Sequence, residues 1–170
     1  RLFQSCRMSL VAVVQARLGS TRLPQKAMMR LGGTRNPTTL NAVLARAALV
    51  VGSANVVLAV PWADVQALSY TWPFVVSGNE DDVLSRFAAV ARSYPDVKTF
   101  VRLTADCPLL DPGFSRSVID THRANSALIT STSPALDGLD TEVFSREALF
   151  LACRHAAGAD REHVTPWMNL

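Results

Sequence analysis

Apolar positions along this chain switch repeatedly between two periods. Residues 10–14 form an unbroken, β-branched run, the pattern of a strand buried on both faces. Leu40, Val43, Leu44, Ala47, Ala48 and Val51 then recur at helical spacing and line one face. Short apolar runs at 55–60, 74–76, 97–103 and 128–131 predict further strands. A weaker helix is predicted near 63–70. Asn79 is placed to cap a helix with Glu80, Asp81 and Asp82 in its first turn, where acidic groups complement the helix dipole. Val83, Phe87, Val90 and Tyr94 continue the inner face of that helix. Asp111 caps another, with Pro112 at its first position. Ser145 caps a third, and Phe144 staples onto Leu149. Residues 32–39 are rich in Gly, Pro and Thr and read as a loop.

Strands alternating with helices predict an α/β layered domain with a mostly parallel sheet. Ligands of such sheets sit beyond the carboxyl ends of the strands. Two segments able to do chemistry fall there: the loop after Val14 and the segment around Asp106. The sequence therefore directs both to one edge of the sheet.

Composition narrows the class. The chain has 170 residues, 49% hydrophobic and 18% charged, which fits one folded domain with a real core. Its net charge is +3, without a Lys/Arg run, so no nucleic-acid patch is expected. No stretch is long and apolar enough to predict a membrane span. Cys6, Cys107 and Cys153 are far apart and form no Cys-x-x-Cys pair, so neither a zinc site nor a disulfide framework is indicated. A reducing cytoplasm is the expected setting.

The loop after the first strand holds Gly19, Ser20, Thr21 and Pro24 with three cations, Arg17, Arg22 and Lys26. Small residues let backbone N–H groups approach phosphate oxygens, and the cations offset their charge. The loop is neither a Walker A motif nor a dinucleotide fingerprint. Asp106 follows a strand; from spacing alone it reads as a turn-capping Asp, and a carboxylate there can also bind Mg²⁺ beside substrate phosphates. Thr104 either touches a ligand or finishes the strand. Arg102, inside the strand, predicts a structural ion pair. Alternation sends Asp140 and Glu142 to the same face of a short strand, fitting either a polar face or contacts to sugar hydroxyls or metal.

Four ordered segments carry a family resemblance. They are QARLGSTRLPQK at 15–26, GNEDDVLSRF at 78–87, VRLTADCPLLDP at 101–112, and DGLDTEVF at 137–144 with REHVTP at 161–166. The set resembles the spore-coat polysaccharide biosynthesis cytidylyltransferases, relatives of the CMP-KDO synthetases and acylneuraminate cytidylyltransferases. The resemblance implies a three-layer nucleotide-diphospho-sugar transferase-like (Rossmann-like) domain over 9–170, with 1–8 as an extension or cloning remnant. It implies transfer of a nucleotidyl group from CTP to a sugar or acidic sugar, with pyrophosphate released. It assigns phosphate contacts to Arg17, Ser20, Arg22 and Lys26, close backbone approach to Ala16 and Gly19, and Mg²⁺ to Asp106. Ser77, Arg86 and Thr104 fall on the nucleotide side, and Asp140 and Glu142 on the sugar side. The catalytic set it implies is Arg22, Lys26 and Asp106.

Two departures qualify the resemblance. Family members usually carry Gly where Gln25 stands, so a stiffer loop is expected here. A later family segment, Val-Asp-Thr-Pro-Glu-Asp, has no counterpart in these residues. The domain is thus expected to lack the family's C-terminal part and its second metal carboxylate, and apolar surface left uncovered would encourage pairing of two copies. The alternative reading is a catalytically impaired nucleotide- or sugar-binding module of the same fold.

Overall fold

Alternation decides how the first strand is used. β1 (Leu10–Gln15) sends Val11 and Val13 to one side and Ala12 and Val14 to the other, and all four are fully buried. A helical layer must therefore cover each face. The computed structural model, which describes residues 9–20, 23–132 and 138–169, has this arrangement. α1 (Thr39–Val51) and α4 (Pro112–Asn125) cover Ala12 and Val14 together with Leu58, Val60, Val101 and Leu103. α3 (Val83–Ser93) and α5 (Arg146–His155) cover Val11 and Val13 together with Val57, Ala59, Phe100 and Phe144. The Phe144 ring lies 5.9 Å from that of Phe87 and 6.3 Å from that of Phe100.

The sheet is completed by β2 (Val56–Pro61), β3 (Val75–Gly78), β4 (Thr99–Thr104), β5 (Ile129–Ser131) and β6 (Glu142–Ser145), in the order β3-β2-β1-β4-β6-β5. Neighbours from β3 to β4 are parallel, and β6 runs antiparallel to both β4 and β5. This is the three-layer, mostly parallel architecture expected from the alternating pattern. The weak helix near 63–70 shrinks to the single turn α2 (Val65–Leu68), flanked by 3-10 turns at Trp62–Asp64 and Ser69–Thr71. Residues 1–8 and Arg22 lie outside the described residues, as does Asp137.

Caps set where helices begin. Asp111 accepts from the Phe114 N–H at 2.6 Å and Ser145 from the Ala148 N–H at 3.0 Å, both as expected. The helix expected to follow Asn79 directly begins later. Asn79 instead folds into a turn, accepting from the Asp81 and Asp82 N–H groups, and Asp82 caps α3 by accepting from the Ser85 N–H at 2.9 Å. The acidic run thus precedes the helix. Loop 32–39 is closed at its base by pairing of Arg30 with Thr38.

From β1 the chain moves outward to β2 and β3, then returns to β4 on the opposite side of β1. The order reverses between β1 and β4, whose last residues, Gln15 and Thr104, are register partners. That reversal opens a crevice at the carboxyl ends of both strands. The aromatic contact beneath the sheet gives a stability prediction. Phe144→Ala, at a fully buried ring, should cost about 3–5 kcal/mol in urea unfolding; a loss below about 1 kcal/mol would show that the neighbouring rings collapse into the gap.

Candidate active site

The cationic loop is built outward from the end of β1. Its first N–H, that of Ala16, donates to the Ala59 carbonyl at 3.0 Å and prolongs the pairing with β2. The Leu18 N–H donates to Asp64 Oδ2 at 2.8 Å, tying the loop to the turn after β2. The Gln25 N–H closes the loop on the Leu18 carbonyl at 3.1 Å. This closure places Gln25 in the left-handed region, at φ 56° and ψ 22°. A side chain there costs about 1–2 kcal/mol relative to glycine. The 3-10 turn Lys26–Met28 follows and carries the Lys26 ammonium across the crevice to Asp106, 2.6 Å away.

Asp106 stands two residues beyond β4, where the Ala105 N–H still donates to the Gln15 carbonyl at 3.0 Å. Burial pushes its carboxyl pKa up, but hydrogen bonds from Lys26 and Thr104 and the Lys26 charge outweigh burial and hold it below the ordinary value. Cys107 Sγ lies 4.0 Å from Asp106 Oδ1, 3.6 Å from Asp140 Oδ2 and 3.2 Å from Thr104 Oγ1. Burial, opposed by the Thr104 hydrogen bond and reinforced by both carboxylates, raises this thiol's pKa.

A cavity of about 250 Å³ fills the crevice. Of the residues singled out in the sequence, Ala16, Arg17, Lys26, Arg86, Thr104 and Asp106 line it; Gly19, Ser20, Ser77, Asp140 and Glu142 do not. Gln15, Arg102, Glu162 and His163 also line it, without having been given a role at the site from the sequence. Gln15 had a signal in its position as the last residue of the first strand. Arg102 forms the expected ion pair, with Glu142, and also donates to Gln15 Oε1 at 2.9 Å.

Asp140 and Glu142 do not share a strand face. β6 starts at Glu142, so alternation does not reach Asp140, whose carboxylate accepts from the Gly138 N–H at 3.1 Å and approaches Cys107. Both Glu142 oxygens are already engaged, one by Arg102 and the other by the Thr165 hydroxyl at 2.6 Å.

The far wall comes from α6 (Ala159–His163). Arg161 Nη2 donates to Asp82 Oδ2 at 2.8 Å, and Glu162 meets Arg17 at 3.4 Å across the mouth. The chain then reverses at Val164, which is fully buried with φ 71° and ψ −56°, closed by the Thr165 N–H on the His163 carbonyl at 2.9 Å. This is a γ-turn of the strained hand, rare for a β-branched residue. It holds Glu162 and His163 over the cavity.

Arg86 is 2% exposed, and its Nε and Nη1 have no hydrogen-bond partner among the described residues. Burial, then the charge of Arg17, lowers its pKa, against weaker opposing fields from Glu80, Asp64 and Asp82.

The carboxylate oxygens at this edge suit a divalent cation. Among the described residues no cluster of three or more His, Cys, Asp or Glu side chains is available to cage a metal. Asp106 and Asp140, separated by one thiol, form the sparse carboxylate set that Mg²⁺ supplements with water and substrate phosphate. No described helix is long and apolar enough to cross a membrane.

Residues 11–169 match the family model described as cytidylyltransferase. The chain belongs to the cytidylyltransferase family. It is 32% identical to the spore coat polysaccharide biosynthesis protein SpsF of Bacillus subtilis, over 94% of this chain and 70% of that protein. It superposes on a cytidylyltransferase from Leptospira borgpetersenii with a TM-score of 0.81 and 28% identity, over 95% of this chain and 71% of that one. The fold also matches a CMP:2-keto-3-deoxy-manno-octonic acid synthetase solved with CTP, at a TM-score of 0.69 and 16% identity, over 95% and 84% of the two chains.

In this cytidylyltransferase-family site the Lys26–Asp106 pair predicts a pH response. A folded-state pKa below the unfolded value of about 3.9 gives stability that is fully present above that value and lost as pH falls through the lower one. Wild-type protein should therefore lose stability more steeply below about pH 4 than Asp106→Asn. Parallel acid limbs in urea titrations at several pH values would contradict the pairing.

Proposed function

We propose that this chain transfers the cytidylyl group of CTP to a sugar, releasing pyrophosphate, in the biosynthesis of a cell-surface polysaccharide. The observation that carries this reading is the meeting of Lys26 and Asp106 at the mouth of a cation-lined cavity, at the point where the sheet order reverses. The polysaccharide role named for the Bacillus subtilis relative and the CTP bound by the synthetase of the same fold support the donor and the setting. We place the reaction in the cytoplasm.

In this reading a sugar oxygen forms a bond to the α-phosphorus while the bond to the pyrophosphate oxygen breaks. Positioning and charge neutralisation supply most of the catalysis. Arg17, Lys26 and the backbone at Ala16 take the phosphates, and Gly19 and Ser20, in the same loop, stand outside the cavity lining. Thr104, in the cavity lining, serves the nucleotide, with Ser77 outside that lining, and Asp106, supported by Asp140, would hold Mg²⁺. When bound, the metal would neutralise phosphate charge. On substrate binding the Lys26–Asp106 pair would part, freeing the ammonium for phosphate and the carboxylate as a ligand. Arg17 leaves Glu162 in the same way. That exchange is inexpensive because both pairs are substantially solvent-exposed. Asp140 is the better placed of the two sugar-side carboxylates, because Glu142 already serves Arg102 and Thr165.

Calorimetry should show CTP binding strengthened by Mg²⁺. Lys26→Ala should weaken CTP by about 10- to 100-fold while leaving cytidine unchanged, and Asp106→Asn should remove the Mg²⁺ dependence. Pyrophosphate release with CTP and a panel of sugars tests turnover. CTP binding with no release from any of them would reduce the proposal to a nucleotide-binding module.

A further inference from the structure

Four cations line the cavity, and three have counter-charges: Arg17 with Glu162, Lys26 with Asp106, and Arg102 with Glu142. Arg86 alone has none among the described residues. The acids nearest to it are turned elsewhere. Asp82 receives the Ser85 N–H and Arg161, Asp64 receives the Leu18 N–H, and the Glu80 carboxylate lies over Gly19, where an added Cβ would stand 2.6 Å from Oε1. Nor is Arg86 there by loose packing. Gly78 makes its space, since a Cβ on residue 78 would come within 2.7 Å of Arg86 Cγ. Idle donors on a buried guanidinium that has no ion-pair partner are unfavourable. Two of its donors, Nε and Nη1, are sealed from solvent.

We propose that Arg86 is an oxyanion receptor at the floor of the cavity, holding one anionic group of the bound substrates apart from those facing Arg17 and Lys26. The cytidylyltransferase reading supplies two sources for that group, a phosphate of the nucleotide or an acidic group on the acceptor sugar. The inference rests on that reading for the identity of the ligand but not for its charge.

Arg86→Met and Arg86→Lys test it in the full chain, by thermal melting and by calorimetry with inorganic tripolyphosphate, CTP, cytidine and 2-keto-3-deoxy-manno-octonic acid. Without ligand, Arg86→Met should melt at the wild-type temperature or above, because it removes an uncompensated charge. It should weaken an oxyanion probe by about 10- to 100-fold, with Arg86→Lys intermediate and cytidine unaffected. Loss confined to tripolyphosphate and CTP assigns the group to the phosphate chain; loss confined to the sugar acid, added to the CTP complex, assigns it to the acceptor. Unchanged binding of every oxyanion overturns the proposal. So does a lower melting temperature in both variants with Arg86→Lys binding all probes normally, which would make Arg86 a packing residue. Arg86-dependent tripolyphosphate binding without any preference for CTP or release of pyrophosphate would leave the receptor standing while the cytidylyltransferase reading fails.

Discussion

Parallel pairing of β1 with β4 brings together the two halves of the site. Six consecutive register partners, from Leu10 with Thr99 to Gln15 with Thr104, fix the strand ends at one level. The loop that leaves β1 and the acidic turn that leaves β4 therefore emerge side by side, although Lys26 and Asp106 are 80 residues apart in sequence. A one-residue slip would turn Val11–Val14 from one helical layer to the other. Both cores would then be mismatched, so the burial that stabilises the fold also holds the chemistry in register.

A second set of contacts ties the far wall to this frame. Gln15, Arg102, Glu142 and Thr165 form one chain of side-chain bonds from the end of β1 to the segment after α6. Arg161 on Asp82 anchors the other side of α6 to the start of α3. Between these anchors the backbone takes the strained turn at Val164, a conformation that persists only where its surroundings over-determine it. The wall is thus held by polar contacts at its ends, with the buried Val164 side chain between them.

Strand content and layer class were legible because burial on both faces leaves an unbroken β-branched run and helices leave a 3.6-residue repeat. Caps at Asp111 and Ser145 were legible because their partners lie three residues away. Sheet order was not: nothing local says that β6 inserts between β4 and β5. The local pattern places the start of α3 three residues early, at Asn79, because Asp82 is as good a cap and also binds Arg161, 79 residues further on. The pairing of Asp140 with Glu142 failed because alternation holds only inside a strand. The burial of Arg86 did leave a trace. It lies three residues after Val83 and four before Val90, an inward position occupied by a charge. The family resemblance named the cationic loop and Asp106, while the assembly of Gln15, Arg102 and Glu162 around them needed tertiary structure.

The close approach of Gly78 to Arg86 constrains the order in which this site can change. While the arginine is present, any side chain at 78 collides with its stem, so the glycine cannot be replaced first. Only when residue 86 also loses its Cγ does the notch become an unfilled space beside β3 that a small residue at 78 could occupy. A lineage that fills the notch would then find the arginine hard to regain, because restoring it would require two simultaneous changes. The contact thus acts as a ratchet on divergence, and the pair of residues at these two positions in any descendant sequence records whether the buried charge has been kept or given up.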